Sequence, residues 1–239
     1  MLETLSHGAK QLGLVLTPKQ TQQFQLYYEE LVEWNKRVNL TAITDYQEVQ
    51  LKHFLDSLTL VPVLQDTPWA KGGFTLMDVG TGAGMPGLPL KIFLPEIRLV
   101  LLDSVAKKTA FLKHLTGRLG LDYVNILTGR AEEVAHDTDY REKFDLVVSR
   151  AVTRLPTLLE LTLPFCRQGG LTIAQKKGAI EAELSRAAMA IDILGGKVKE
   201  VRKIDLELLE QRSLVIVEKV SPTPQRYPRR TGVPAKRPL

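Results

Sequence analysis

The sequence predicts an α/β protein: a mostly parallel sheet, entered through a helical N-terminal segment and left through a basic tail. Three observations predict it. From Phe74 onward, short apolar runs alternate with amphipathic helical patterns, as expected of successive strand–helix units. The first run, Phe74-Thr75-Leu76-Met77, leads straight into Asp78-Val79-Gly80-Thr81-Gly82-Ala83-Gly84-Met85-Pro86-Gly87, a glycine-rich turn of the kind that ends a buried strand and opens a helix. The last two apolar runs, 197–204 and 214–220, are separated only by a short link, so they pair antiparallel.

Residues 1–65 read as helical, and the extension they form is bounded at 1–68. Thr17-Pro18 supplies a cap and a first helical position. Phe24, Tyr27, Tyr28, Leu31 and Val38 then follow the spacing of one buried face. A second helix is expected over 46–60, with Val49, Phe54, Leu55 and Leu58 as apolar contacts, and 66–73 reads as a connector. After the glycine turn, 97–102 is apolar apart from Arg98, as suits a strand covered on both faces. A helix over 107–119 turns Phe111, Leu112, Leu115 and Leu119 to one side. Strands are expected at 123–127, 144–148 and 171–175. A helix over 155–165 is interrupted near its end by Pro164, and a further amphipathic helix carries Ile180, Leu184, Ala187, Ala188 and Ile191. Five such units closed by a hairpin describe a Rossmann-like class I methyltransferase sheet better than a symmetric six-strand dinucleotide domain.

The glycine turn carries the chemistry. Its four glycines let the backbone turn tightly and approach a ligand with no Cβ in the way, and Pro86 suits the first position of a helix starting there. Read literally, Gly82-Ala83-Gly84-Met85-Pro86-Gly87 matches the dinucleotide fingerprint, with Asp103 about the right distance beyond. A competing frame begins at Asp78. An acid inside the strand end is unexplained beside a pyrophosphate, but it suits S-adenosylmethionine, whose ammonium and sulfonium are cationic. Asp78 acts there either directly or by holding the glycine loop. Asp103 can accept from both ribose hydroxyls or cap the next helix. Ala131 and Glu132, just after the third strand, offer an amide and a carboxylate to an adenine edge; the alternative is a simply exposed Glu132. Lys107 and Lys108 sit in the first turn of a helix, where the macrodipole disfavours cations, which points to an external anion or to a solvated pair.

Composition bounds the class. The 239 residues are 44% hydrophobic and 25% charged, as in an ordinary globular protein, and no apolar stretch is long enough for a membrane span. Cys166 is the single cysteine, which excludes an internal disulfide, and His7, His114 and His136 show no metal-ligand spacing. The N-terminus lacks a signal-peptide plan, and a cytoplasmic location is expected. The formal net charge is +5. After Val220 come Arg226, Arg229, Arg230, Lys236 and Arg237 with no acid, so positions 1–220 are formally neutral and the excess lies in residues 221–239. Five prolines there argue for an extended, non-helical strap suited to phosphate contact, or for a solvated tail. The domain reading is therefore an extension at 1–68, a cofactor-binding domain at 69–220 and a basic tail at 221–239.

Beyond the turn, several blocks resemble the RsmG (GidB) family, bacterial methyltransferases of a guanine N7 in 16S ribosomal RNA. They are 34–41, His53-Phe54-Leu55-Asp56-Ser57, 101–104 with Lys107-Lys108, 129–132, Val148-Ser149-Arg150-Ala151, Gln175-Lys176-Lys177-Gly178 and 223–230, nearly the whole chain. The resemblance implies S-adenosylmethionine held by Asp78, Gly80, Gly82, Met85, Asp103, Ser104, Val105, Ala131 and Glu132, with Arg150 beside it. It implies 16S rRNA as partner, free or in a 30S subunit or assembly intermediate. Arg150 is the candidate catalytic group, placed where amine-methylating relatives of this fold carry Asn/Asp-Pro-Pro-Tyr/Phe. The lack of that motif argues against an exocyclic amine as target. Lys107, Lys108, Lys176, Lys177, Arg226, Arg229 and Arg230 are the candidate RNA contacts. His53, Asp56 and Ser57 suggest either acid–base chemistry or, preferred here, a polar cluster tying the extension to the sheet. Trp34, Asn35 and Asn39 fit either packing and helix-end bonding or an RNA face. The glycine match keeps a nicotinamide-dependent oxidoreductase as an alternative, and a cofactor-sensing RNA-binding module without catalysis is another.

Overall fold

A computed structural model describes residues 2–65, 67–70, 73–150 and 153–239. Met1, Asp66, Lys71 and Gly72 of the terminus and connector, and Ala151 of the block after the fourth strand, lie outside the described residues. Strands β1 (Thr75–Val79), β2 (Arg98–Asp103), β3 (Val124–Thr128), β4 (Phe144–Arg150), β5 (Cys166–Lys177), β6 (Gly196–Ile204) and β7 (Arg212–Lys219) form one sheet in the order β3-β2-β1-β4-β5-β7-β6. The first five are parallel; β7 runs antiparallel between β5 and β6. Placing β7 inside the sheet explains its burial along nearly every residue, while edge strand β6 is half-buried or exposed at every residue but Ile204.

The short link between β6 and β7 does give the expected hairpin. What the link could not reveal is that the last strand inserts between its predecessors. β5 is longer than expected at both ends. Gly169 and Gly170, natural turn markers, lie within the strand, and β4 approaches so closely that a Cβ at Gly170 would stand 2.8 Å from the Asp145 carbonyl oxygen.

Eleven α-helical segments are described. Helices α1 (Glu3–Gln11) and α2 (Pro18–Asn35) open the chain, α2 with a capping box between Thr17 and Gln20. α2 stops short of Val38 because Asn35 Oδ1 accepts from the backbone N–H groups of Leu40 and Thr41 at 2.8 and 3.0 Å. Trp34 packs its ring on Phe111 and His114. The second expected helix is α3 (Tyr46–Val49), a π-helical stretch Gln50–Leu55 and α4 (Asp56–Leu58) in succession. The wider π turn re-aims the side chains that follow it. Then come α5 (Val61–Gln65), α6 (Gly87–Phe93), α7 (Ala106–Leu119), α8 (Ala131–Val134), α9 (Leu155–Thr162) with a 3-10 turn at Leu163–Phe165, α10 (Glu181–Ile193) and α11 (Val233–Lys236). α6 starts at Gly87, with Pro86 as the residue before it and not in its first turn: the Asp78 carboxylate takes the Gly87 N–H from outside the helix.

The extension does not stand apart. Leu5, Phe24, Tyr27, Phe54, Leu88, Leu101, Leu112 and Ile216 belong to one continuous buried cluster. Gln20 Nε2 donates to the carbonyls of Ile92 and Phe93, both at 3.0 Å.

Nor is the tail a free, helix-less strap. It is folded against α8 and α9, buries Tyr227 and contains α11. Arg141 donates to the carbonyls of Thr223 and Tyr227 at 2.9 Å each, and the buried Lys219 ammonium donates to Leu163 O and Thr223 Oγ1. Prolines remove backbone donors, so side chains of the body supply them instead. Among the described residues no helix is long and apolar enough to cross a membrane, and no group of three or more His, Cys, Asp or Glu could hold a metal ion.

Candidate functional site

The strand order reverses about β1, so a crevice opens above its carboxyl end, where open α/β sheets bind ligands. The glycine loop occupies it. Gly80 and Thr81 donate to Leu102 O at 2.8 and 3.1 Å, pinning the loop to β2. Gly80, Gly82 and Gly84 have φ of 71°, 60° and 101°, left-handed values that side chains resist. A Cβ at Gly84 would lie 2.6 Å from both Tyr27 Oη and Leu88 Cδ1, whereas one at Gly82 would meet only open space. Gly84 is therefore required by packing, and Gly82 leaves room for a ligand.

Asp78 holds this loop. It is fully buried, and its Oδ2 accepts from Thr81 Oγ1 at 2.7 Å and from Gly87 N at 2.9 Å. Its Oδ1 has no partner among the described residues. Burial raises its pKa to about 6, against the opposing hydrogen bonds of Thr81 and Gly87. A cationic ligand at the loop would favour the carboxylate form.

Asp103 ends β2, nearly buried, with Oδ2 accepting from Gly82 N and Oδ1 from Val105 N, both at 2.9 Å. It thus ties the loop to the turn that opens α7. A cleft of about 100 Å³ lies beside it, lined by Val79, Gly80, Asp103, Ser104, Arg130, Ala131, Glu132 and Leu161. Gly80, Asp103, Ser104, Ala131 and Glu132 come together as expected. Met85 and Val105 do not line the cleft: Met85 is buried with its sulfur 3.5 Å from Tyr27 Oη, and the Val105 side chain is exposed. One oxygen of Glu132 accepts from Gly232 N at 3.1 Å, so the tail borders the adenine side of the cleft.

Arg150 is not in this cleft. It ends β4 in a second, larger cavity of about 370 Å³ lined by Ile43, Lys52, His53, Asp56, Arg150, Gln175, Lys176, Lys177 and Arg212. The Asp56 carboxylate organises it, accepting from Arg150 Nη1 at 3.0 Å, Arg212 Nε at 2.8 Å and Gln175 Nε2 at 3.2 Å. Arg150 also donates to Lys52 O at 3.0 Å. Asp56 therefore ties the extension to β4, β5 and β7, while Ser57 Oγ merely donates to His53 O within the helix. His53 contacts Thr41 Oγ1 at 2.9 Å, and burial, then the charge of Arg150, lowers its pKa to about 4. Its ring is neutral near pH 7. Gln175, Arg212 and Lys52 went unremarked as site residues in the sequence; only the block around Gln175 carried any signal.

The candidate RNA contacts divide. Lys107, Lys177, Arg226 and Arg230 are exposed, Arg226 in the part of the tail that Arg141 holds just before β4. Lys108 lies 3.9 Å from Asp103, and Arg226 covers the Tyr227 ring. Lys176 is largely buried and donates to Thr153 O and Glu183 Oε1 at 2.7 Å each. Arg229 is a correction: its guanidinium grips the fully buried Glu160 at 2.8 and 2.6 Å and pins the tail, because a buried carboxylate needs a charged partner. Arg130 and Arg154, both exposed on neighbouring loops, extend the basic rim without having been singled out.

A family model described as rRNA small subunit methyltransferase G matches residues 20–215. The chain is 52% identical over 239 residues to the ribosomal RNA small subunit methyltransferase G of Dehalococcoides mccartyi (strain CBDB1), covering 100% of both. It is 48% identical over 240 residues to that of Pelotomaculum thermopropionicum, covering 100% of this chain and 99% of that one. Among solved structures it resembles a 16S rRNA (adenine(1408)-N(1))-methyltransferase from Catenulisporales acidiphilia, with TM-score 0.54, 17% identity and coverage of 64% and 88% of the two chains. It also resembles TrmN from Thermus thermophilus, with TM-score 0.52, 18% identity and coverage of 72% and 53%. At these identities the structural likenesses establish the fold.

Proposed function

The chain belongs to the rRNA small subunit methyltransferase G family, and from that premise we propose that it transfers a methyl group from S-adenosylmethionine to N7 of a guanine in 16S ribosomal RNA. The observation that carries this reading is the pairing of two sites on adjoining strand ends: a glycine-loop cleft at β1 and β2, and a polar, guanidinium-bearing cavity at β4 and β5. The residues present fit the cofactor. Gly82 leaves open space, and Asp78 Oδ1 is a buried acceptor beside the loop with no partner among the described residues. Gly80, Gly82, Asp103, Ser104, Ala131 and Glu132 would hold the cofactor, with Asp78 fixing the loop and offering its remaining oxygen to positive charge. Bound there, S-adenosylmethionine supplies an electrophilic methyl on a sulfonium.

A guanine N7 carries a free lone pair, so no base need remove a proton before the N–C bond forms and the C–S bond breaks. The task left to the protein is alignment. Arg150 donates one guanidinium nitrogen to Asp56 and Lys52 O, which holds its plane in the larger cavity. We assign it the role of donor to the guanine O6 or an adjacent phosphate. Lys107, Arg130, Arg154, Lys177 and Arg230 are the exposed cations that would meet phosphates, with Arg226 a further one on the tail. The rRNA substrate supports a cytoplasmic enzyme. Single-turnover transfer of labelled methyl to 16S rRNA from a strain lacking this protein, as free RNA and as 30S particles, tests the reading. We expect 7-methylguanosine at one site; label on another base, or none on either substrate, overturns it.

A further inference from the structure

We infer that the C-terminal tail completes the cofactor cleft: the backbone N–H of Gly232 is a positioning donor that holds the Glu132 carboxylate for the exocyclic amine of the cofactor's adenine. The inference rests on the reading of the smaller cleft as the S-adenosylmethionine site. It adds a residue that does not line that cleft and lies 100 positions from the one it holds.

Glu132 stands between two depressions. It lines the cleft together with Asp103 and Ser104, and it lines a neighbouring groove together with His136 and the tail residues Pro228 and Thr231. Its side chain is half-buried, so the carboxylate stays within reach of a ligand. Oε1 accepts from Gly232 N at 3.1 Å, while Oε2 takes no hydrogen bond from the described residues. The tail is laid along α8 by a run of bonds. His136 Nε2 donates to Pro228 O at 2.8 Å, and Thr231 Oγ1 donates to Glu133 Oε1 at 3.0 Å. Between them Arg229 is clamped on Glu160, and beyond Gly232 the carbonyl of the buried Pro234 accepts from Thr157 Oγ1 at 2.9 Å. Gly232 itself takes φ of 82°, a left-handed value that side chains resist, where the chain turns into α11. The place of its N–H is thus set from both sides.

A glutamate on the edge of a cleft has many rotamers, and one already held in place loses less freedom when a ligand binds. Both carboxylate oxygens accept, so Oε1 can serve the tail while Oε2 serves the cleft. The 6-amino group of adenine is a donor of the kind that Oε2 lacks. A glutamine cannot fill both roles in the same way. The Gly232 N–H requires the amide oxygen, which turns the amide NH2, a donor, toward the adenine amine.

Calorimetry tests this with S-adenosylhomocysteine and its 6-deamino analogue, in which purine replaces adenine and every ring nitrogen is kept. The wild-type chain should bind S-adenosylhomocysteine at least about tenfold more tightly than the analogue. Glu132→Gln should cut that ratio to below about threefold, because it sets donor against donor. A chain carrying an ester in place of the 231–232 peptide bond lacks only the Gly232 N–H, and its ratio should likewise fall below about threefold. A Glu132→Gln chain with a ratio above that value has turned its amide away from the tail and overturns the inference, as does an ester chain that keeps the wild-type ratio. A wild-type ratio below tenfold also overturns it and leaves the proposed methyl transfer standing. A wild-type chain that binds neither ligand overturns the cofactor reading and this inference with it.

Discussion

Arg229 of the C-terminal tail closes both guanidinium arms of its fork, and its backbone N–H, on the completely buried carboxylate of Glu160 in α9. The basic tail is thus anchored by the very type of residue that composition assigned to RNA. Arg229→Ala strands a buried carboxylate, and breaking such a pair costs about 3–5 kcal/mol. We expect that loss in denaturant unfolding, with the tail released.

Arg230→Ala and Arg226→Ala should behave oppositely. Both side chains are exposed, and neither holds a buried acid. Stability should stay within about 0.5 kcal/mol of wild type. RNA affinity should weaken, and the slope of log affinity against log salt should drop by about one for each phosphate contact removed. Titrations at several salt concentrations measure it.

Arg150→Ala removes a donor from the larger cavity while Asp56 keeps Arg212 and Gln175. The fold should therefore survive. We expect single-turnover methylation to fall by roughly tenfold to a hundredfold, the worth of a charge-assisted hydrogen bond. Affinity for S-adenosylhomocysteine should change little, because Arg150 does not line the smaller cleft. Unchanged transfer would remove Arg150 from the mechanism.

Two glycines of the loop should separate fold from ligand. Gly84→Ala places a methyl 2.6 Å from Tyr27 Oη and Leu88 Cδ1 and should lower Tm sharply. Gly82→Ala meets no atom and incurs only left-handed strain of about 1–2 kcal/mol. The alanine methyl occupies the space left for the cofactor, so binding should suffer more than stability; thermal unfolding with and without S-adenosylhomocysteine distinguishes the two.

Two buried groups set opposite pH dependences. The pKa of Asp78 is raised from 3.8 to about 6 by burial, so the stability it contributes is present below 3.8 and lost as pH rises to 6. The pKa of His53 is lowered from 6.5 to about 4, so its contribution is present above 6.5 and lost as pH falls to 4, on the order of 3 kcal/mol. His53→Gln should flatten the acid side of the stability profile, and Asp78→Asn should remove the decline between pH 4 and 6. A cationic cofactor favours the Asp78 carboxylate, so affinity should rise with pH up to about 6 and then level off. Calorimetry across that range checks the sign.

The sheet was legible because its strands are continuous apolar runs and its helices keep one apolar face, local patterns that survive in one dimension. The glycine loop was legible for a similar reason: Gly80, Gly82 and Gly84 require backbone angles that other residues resist, and Asp78 within a strand announces a special contact. Element ends drifted by a few residues where a glycine pair or a side-chain bond overrode the local pattern, as at Gly169-Gly170 in β5 and at Asn35, which ends α2.

By itself, the sequence determined the α/β class, the cleft built on the glycine loop and the family, since each rests on residues adjacent along the chain. The tertiary structure decided which charges are spent and which remain available. Lys176 on Glu183, Arg229 on Glu160 and Arg150 on Asp56 are pairings across 7, 69 and 94 positions. Separations of that size leave no periodic trace. The same holds for the amide of Gln175, oriented by an aspartate 119 positions away, and for β7, which enters the sheet between β5 and β6. A charge's partner depends on distance in space, and only the folded chain supplies that distance.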